Sequence, residues 1–159
     1  MTSDPHPAAL GRLVGRWTTE ATHPAMPGVV VRGTVDVEWL EGERFLLLRS
    51  RTDHPDFPDA LSVIGRMGHD RAAPGGAAPA DDDAAALRLH YYDSRGVFRV
   101  YETSVDDVAW RWWRNAPGFS QRITGRFADG GDTIEGTSEV CEDDVHWQDD
   151  LRITYRRRR

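Results

Sequence analysis

Between Val29 and Leu40 the chain alternates strongly. Val29, Val31, Gly33, Val35, Val37 and Trp39 share one parity, and Arg32, Thr34, Asp36 and Glu38 share the other. A period of two does not give a helix one apolar side; it specifies a strand with one buried face and one wet face. The same period recurs along most of the chain. Strands are expected over 15–23, 29–40, 44–52, 61–68, 87–93, 97–104, 108–114, 119–127, 133–141 and 145–156. Turn chemistry separates them: Pro24 and Pro27, Glu41-Gly42-Glu43, Ser94-Arg95-Gly96, Asp106-Asp107, Ala128-Asp129-Gly130-Gly131-Asp132 and Glu142-Asp143-Asp144. No connection has the length and composition of a crossover helix, so the strands are expected to form an antiparallel meander. Closure removes the exposed edges of a meander. The expectation is therefore an all-β fold: an up-and-down barrel of about ten strands, preferred to a two-sheet sandwich, with a short N-terminal helix over 7–13.

One stretch breaks the pattern. Residues 71–86 are rich in Ala, Pro, Gly and Asp and read as a mobile loop. Strand patterning resumes directly after it, so the whole of 1–159 is expected to be a single domain. A chain of 159 residues is long enough to bury a core without staples. Its net charge of −6 argues against nucleic acid or an anionic membrane as the main partner, and the basic run Arg156–Arg159 reads as a solvated tail. The single cysteine, Cys141, precludes an internal disulfide. No signal-peptide pattern occupies the N-terminus and no apolar run approaches a membrane span, so a cytoplasmic location is expected.

Two sets of residues carry a resemblance. Leu13-Val14-Gly15-Arg16-Trp17 opens the first strand after a short helix, and this Gly-x-Trp resembles the opening of the calycin superfamily, which includes lipocalins and fatty-acid-binding proteins. There the glycine allows close approach at the barrel floor and the indole plugs that end, a role that falls to Trp17. The second set is His90-Tyr91-Tyr92-Asp93-Ser94-Arg95-Gly96, Arg99-Val100-Tyr101-Glu102, Trp110-Arg111-Trp112-Trp113-Arg114, Pro117-Gly118-Phe119-Ser120-Gln121-Arg122 and the closing Trp147 to Tyr155. Together they resemble a group of bacterial calycin-like barrels with no established activity. More distantly the chain resembles nitrobindin-like barrels, which bind haem through a histidine just ahead of the last strand's apolar residues. Here that place is held by Asp150, with His146 four residues earlier, and a carboxylate is a poor substitute for an axial imidazole.

Strand parity gives the candidate cavity residues. In the last strand Trp147, Asp149, Leu151, Ile153 and Tyr155 share a face, and the apolar members turn it inward. Asp149 is then an interior carboxylate, which must be paired or protonated, and Arg49 is a candidate partner. Phe119, Gln121, Ile123 and Phe127 put Gln121 inside; Trp110, Trp112 and Arg114 share another face. The sixth strand is undecided between Val97, Arg99 and Tyr101 on one side and Phe98, Val100 and Glu102 on the other. The expected ligand-binding set is Trp17, Arg49, His90, Tyr101, Trp112, Arg114, Gln121, Trp147 and Asp149. Trp113 reads as an outer contact, available to a homodimer.

No reaction is declared by a motif. The histidines at 6, 23, 54, 69, 90 and 146 fall at no metal-ligand spacing, and His69-Asp70 reads as strand-end polarity. Cys141 has no nucleophile context. Ser120 lies in no Gly-x-Ser-x-Gly elbow, Gly75-Gly76 precedes no helix, and Asp81-Asp82-Asp83 reads as solvated loop. The expectation is a protein with no cofactor that holds a small hydrophobic ligand in an aromatic-lined barrel. The rivals are an enzyme that isomerises or cyclises a hydrophobic substrate using Asp149 as acid, and a haem barrel ligated through His146 or His90.

Overall fold

The computed structural model describes residues 5–66 and 86–159. Helix α1 (Pro5–Gly11) leads into ten strands: β1 (Gly15–Thr22), β2 (Val31–Trp39), β3 (Phe45–Thr52), β4 (Ala60–Arg66), β5 (Leu87–Asp93), β6 (Phe98–Val105), β7 (Ala109–Arg114), β8 (Ser120–Ala128), β9 (Thr133–Cys141) and β10 (Gln148–Arg157). Each strand pairs antiparallel with its sequence neighbours, and β1 pairs with β10 to close the barrel. The expected all-β meander of ten strands is what forms. The expected loop at 71–86, with His69, Gly75, Gly76 and the triple aspartate, lies outside the described residues apart from Ala86. Among the described residues no helix is long and apolar enough to cross a membrane.

The alternation read in β2 sets its orientation: Val31, Val35 and Val37 are buried while Arg32, Asp36 and Glu38 are exposed. Gly33 keeps the inward parity without a side chain. A Cβ there would stand 2.2 Å from the Arg51 carbonyl oxygen, so only glycine lets β2 and β3 approach this closely.

One end of the barrel is shut. Leu10 of α1, Leu13 and Trp17 pack into it, and Trp17 is 1% exposed with its indole N–H donating to the Leu13 carbonyl at 2.9 Å. The Arg157 guanidinium, from the end of β10, lies 4.1 Å from the centre of the Trp17 ring. It also donates to the backbone carbonyls of Val14, Arg12 and Gly131 and pairs with Asp132. The last strand thus clamps the helix exit onto the floor, with the stacked indole and cation between them.

The register of β10 against β9 slips once. Asp149 faces Glu139 and Arg152 faces Thr137, so Asp150 and Leu151 together oppose Ser138. This β-bulge reverses side-chain parity partway along the strand. Leu151, Ile153 and Tyr155 keep the expected inward face, whereas Trp147 and Asp149 turn outward and Asp150 turns in.

Candidate functional site

Inside the barrel lies a cavity of about 540 Å³, opening at the end away from α1. That volume falls within the roughly 300–1,000 Å³ of small-molecule sites. Its mouth is bordered by the β1–β2 connection, through Ala25 and Met26, and by the β3–β4 connection, through Asp56, Phe57 and Pro58. The deeper wall is apolar and aromatic. Trp110 and Trp112 of β7 stack with ring centroids 4.1 Å apart and 33° between planes, and Tyr155 stands 6.5 Å from Trp110. Leu48, Leu89 and Ile123 complete it. The Trp110 indole N–H is satisfied by the Thr103 hydroxyl at 3.1 Å, so the ring presents carbon surface to the cavity without an orphaned donor.

A polar chain crosses one wall. The Leu151 N–H, displaced from the ladder by the bulge, donates to the Ser138 hydroxyl at 2.9 Å, and that hydroxyl donates to Asp150 Oδ2 at 3.2 Å. Asp150 Oδ1 lies 2.8 Å from His23 Nε2, while His23 Nδ1 accepts from the Ala25 N–H at 3.0 Å. Because Nδ1 is occupied as an acceptor, the ring proton sits on Nε2 and points at the carboxylate. The chain fixes the β1–β2 connection to β10 at the mouth. Truncating Asp150 to alanine leaves the His23 and Ser138 donors without their acceptor, and is expected to cost about 1–3 kcal/mol. Asp149→Ala, on the outer face, should change stability by less than about 0.5 kcal/mol. Urea denaturation of the two variants side by side measures this; equal losses would mean that the bulge does not set the parity.

On the opposite wall Tyr101 donates to Gln121 Oε1 at 2.5 Å. Burial pushes the Tyr101 phenol up; the Arg99 charge and its hydrogen bond to the phenol, then the Arg114 charge, oppose this, and Asp150 adds to it. Burial also pushes Tyr91 up, and its hydroxyl donates to Asp93 at 2.8 Å. Asp93 is held well below the carboxylate range, first by Arg95 and then by Tyr91 and backbone donors. Tyr155 is pushed up to about 12 by burial.

The Tyr155 shift has a sign in stability. Below pH 10 both folded and unfolded states keep the Tyr155 proton and stability is flat. Between pH 10 and about 12 only the unfolded chain releases it, so stability falls as pH rises. The full span is worth roughly 2–3 kcal/mol. Tyr155→Phe should remove that share of the alkaline loss and leave neutral-pH stability nearly unchanged. Unfolding free energies measured across the alkaline range check this, and an unaltered slope in the variant would refute it.

Of the nine residues expected at the site, the cavity brings together Tyr101, Trp112 and Gln121. Trp17 belongs to the floor. Arg49 is a correction: it lies outside, paired with Glu38 at 2.7 Å, because β3 turns Leu46, Leu48 and Ser50 inward. It is no partner for Asp149. His90 is a second correction, placed on the outer face edge-on to Phe98, since Leu87, Leu89 and Tyr91 take the inward parity of β5. Arg114 borders an outer groove with Trp113 and Phe98, though its charge reaches Tyr101. Trp147 lies outside under the Arg122 guanidinium, 4.0 Å from its centre, and Asp149 is exposed beside it. The bulge is the reason for both.

Sequence reasoning missed His23, Asp150, Ser138, Tyr91, Arg95 and Arg99. The parity of Trp17, Thr19 and Ala21 carried one step further points to His23. The sixth strand, left open, turns Arg99, Tyr101 and Thr103 inward.

Neither histidine expected to ligate haem fits that role, nor does the histidine on the cavity wall. His90 is outside, His146 is exposed and bonded to Asp143 at 2.7 Å, and His23 has both ring nitrogens engaged. Among the described residues no group of three or more His, Cys, Asp or Glu could hold a metal ion.

No family model matches the chain. No curated protein matches it significantly. Solved structures do. Rv2717c from M. tuberculosis superposes with a TM-score of 0.64 at 15% identity, over 98% of this chain and 99% of that one. The S-type phycobiliprotein lyase CPES from Guillardia theta gives 0.52 at 11% identity, over 94% and 90%. At these identities the likeness is one of fold.

Proposed function

We propose that this protein binds a small, largely apolar organic molecule inside its barrel and belongs among the calycin-like ligand carriers. The observation that carries the reading is the cavity: about 540 Å³, floored by aromatic carbon, with its polar groups gathered toward the mouth. Apolar surface of that extent facing water is unfavourable at roughly 25 cal/mol per Å², and a hydrophobic guest relieves it. The short helix, the Gly15-x-Trp17 floor and the Arg157 clamp support the calycin assignment, and the lone Cys141, buried and outside any disulfide, supports a cytoplasmic location.

The interior-acid reading loses its ground with Asp149 on the outer face. Asp150, which does face the cavity, already accepts from His23 and Ser138 and acts as a fixed element of the wall. Those bonds hold the wall in one arrangement before a guest arrives, which is the preorganisation a binding site uses. The test is intrinsic tryptophan fluorescence. Trp110 and Trp112 line the cavity, so titration with a panel of neutral aromatic and aliphatic compounds should shift or quench their emission saturably. No response across the panel would refute the reading.

A further inference from the structure

We infer that the natural ligand is an organic anion, a planar apolar body bearing a carboxylate-type head, and that Arg99 holds the head at the cavity mouth. This rests on the ligand-binding reading above and adds the ligand's charge and shape.

The charges around the mouth do not balance. Arg95 lines the cavity, but its guanidinium pairs at 2.7 Å with Asp93, whose side chain is fully buried beneath it. That cation is spoken for. Arg99, four residues on and also lining the cavity, has no carboxylate within ion-pair distance among the described residues. Its guanidinium rests 4.8 Å from the centre of the Phe119 ring, partly removed from water by an aromatic face. A partly desolvated guanidinium without an anion is an unfavourable arrangement that a bound carboxylate corrects, with two parallel N–H donors matched to two oxygens.

The opposite wall orients the guest. Asp150 lies on β10, four strands round the barrel from β6, and its carboxylate repels an anion from that side. The Tyr101 hydroxyl, two residues from Arg99 on the same face, and the Gln121 amide bonded to it place further polar groups beside the head position. Below, the Trp110–Trp112 pair offers a continuous indole surface, which favours offset stacking with a flat π-system over contact with a flexible chain.

The experiment uses the full chain and calorimetric titration at neutral pH with two probes of one shape, naphthalene-2-carboxylate and naphthalene-2-methanol. The carboxylate is expected to bind about tenfold or more tightly than the alcohol. High salt should weaken the carboxylate while sparing the alcohol. Arg99→Gln should abolish the preference and leave alcohol binding intact, and Arg99→Lys should restore part of it. Alcohol bound as well as or better than carboxylate overturns the anionic head while the cavity reading stands. A preference that survives Arg99→Gln overturns the assignment to Arg99. If neither probe binds, this inference fails, and the fluorescence panel decides separately whether the cavity takes a guest at all.

Discussion

Trp17→Ala should lower the unfolding free energy by about 3–5 kcal/mol. Trp17 is the largest fully buried side chain among the described residues, and three separate things leave with it. The hydrophobic plug of the closed end is lost, together with the packing of Leu10 and Leu13 against it. The Leu13 carbonyl loses its indole donor, and Arg157 loses the ring on which it rests. The cavity created sits where α1, β1 and β10 meet, and backbone carbonyls already fix the Arg157 head, so the floor cannot collapse inward to fill it. Domains have roughly 5–15 kcal/mol in all, so the variant should stand near its folding threshold. Trp113→Ala, at an outer groove, is the comparison and should cost much less. Urea denaturation followed by far-UV circular dichroism measures both. Equal midpoints would mean that the floor does not depend on the plug.

The second large effect is on binding. Ser62 lines the cavity from β4, between Leu48 on β3 and Tyr91 on β5 in the ladder. Ser62→Trp places an indole in the space a guest would use while leaving strand pairing untouched. Filling empty volume does not incur the strain of overpacking a close-packed core. Native-like stability with loss of the saturable fluorescence response is the expected result. A variant that still binds with unchanged affinity would locate the guest outside the barrel. The comparison must be made with a probe that responds in the native protein, since the new tryptophan adds its own emission.

The barrel was legible because its signal is redundant. Ten runs of alternation and the turn residues between them all require the same meander, and each turn fixes the next strand's direction. Inward faces were legible where apolar residues take one parity only. Gln121 with Ile123 and the valines of β2 are of this kind. Arg49 was not, because Leu46, Leu47 and Leu48 are apolar on both parities and conceal which way β3 faces. His90 is different: Leu87 and Leu89 mark the inward parity of β5 plainly, and the residue between them and Tyr91 has to point out. Asp149 could not have been placed by local pattern. Gln148-Asp149-Asp150 suits either parity, and the hydroxyl that supports the bulge belongs to Ser138, twelve residues away on the neighbouring strand. A bulge is a decision made between strands, so neither strand's sequence announces it.

Closure by β1 and β10 also governs how the chain reaches this structure. Trp17 pairs with Arg157 and Thr22 with Arg152, contacts 140 and 130 residues apart in sequence. Every other ladder joins sequence neighbours and can zip as a local hairpin. The seam cannot form until the final strand is present, and until then β1 and β9 each offer an unpaired edge. The entropy of bringing the two ends together falls on one late step, which marks that seam as the slow event in folding and as the interval in which intermolecular strand pairing competes. Arg157 sits at the end of that last strand and grips the α1 exit, so the residue that secures the floor is also a latch on the completed barrel.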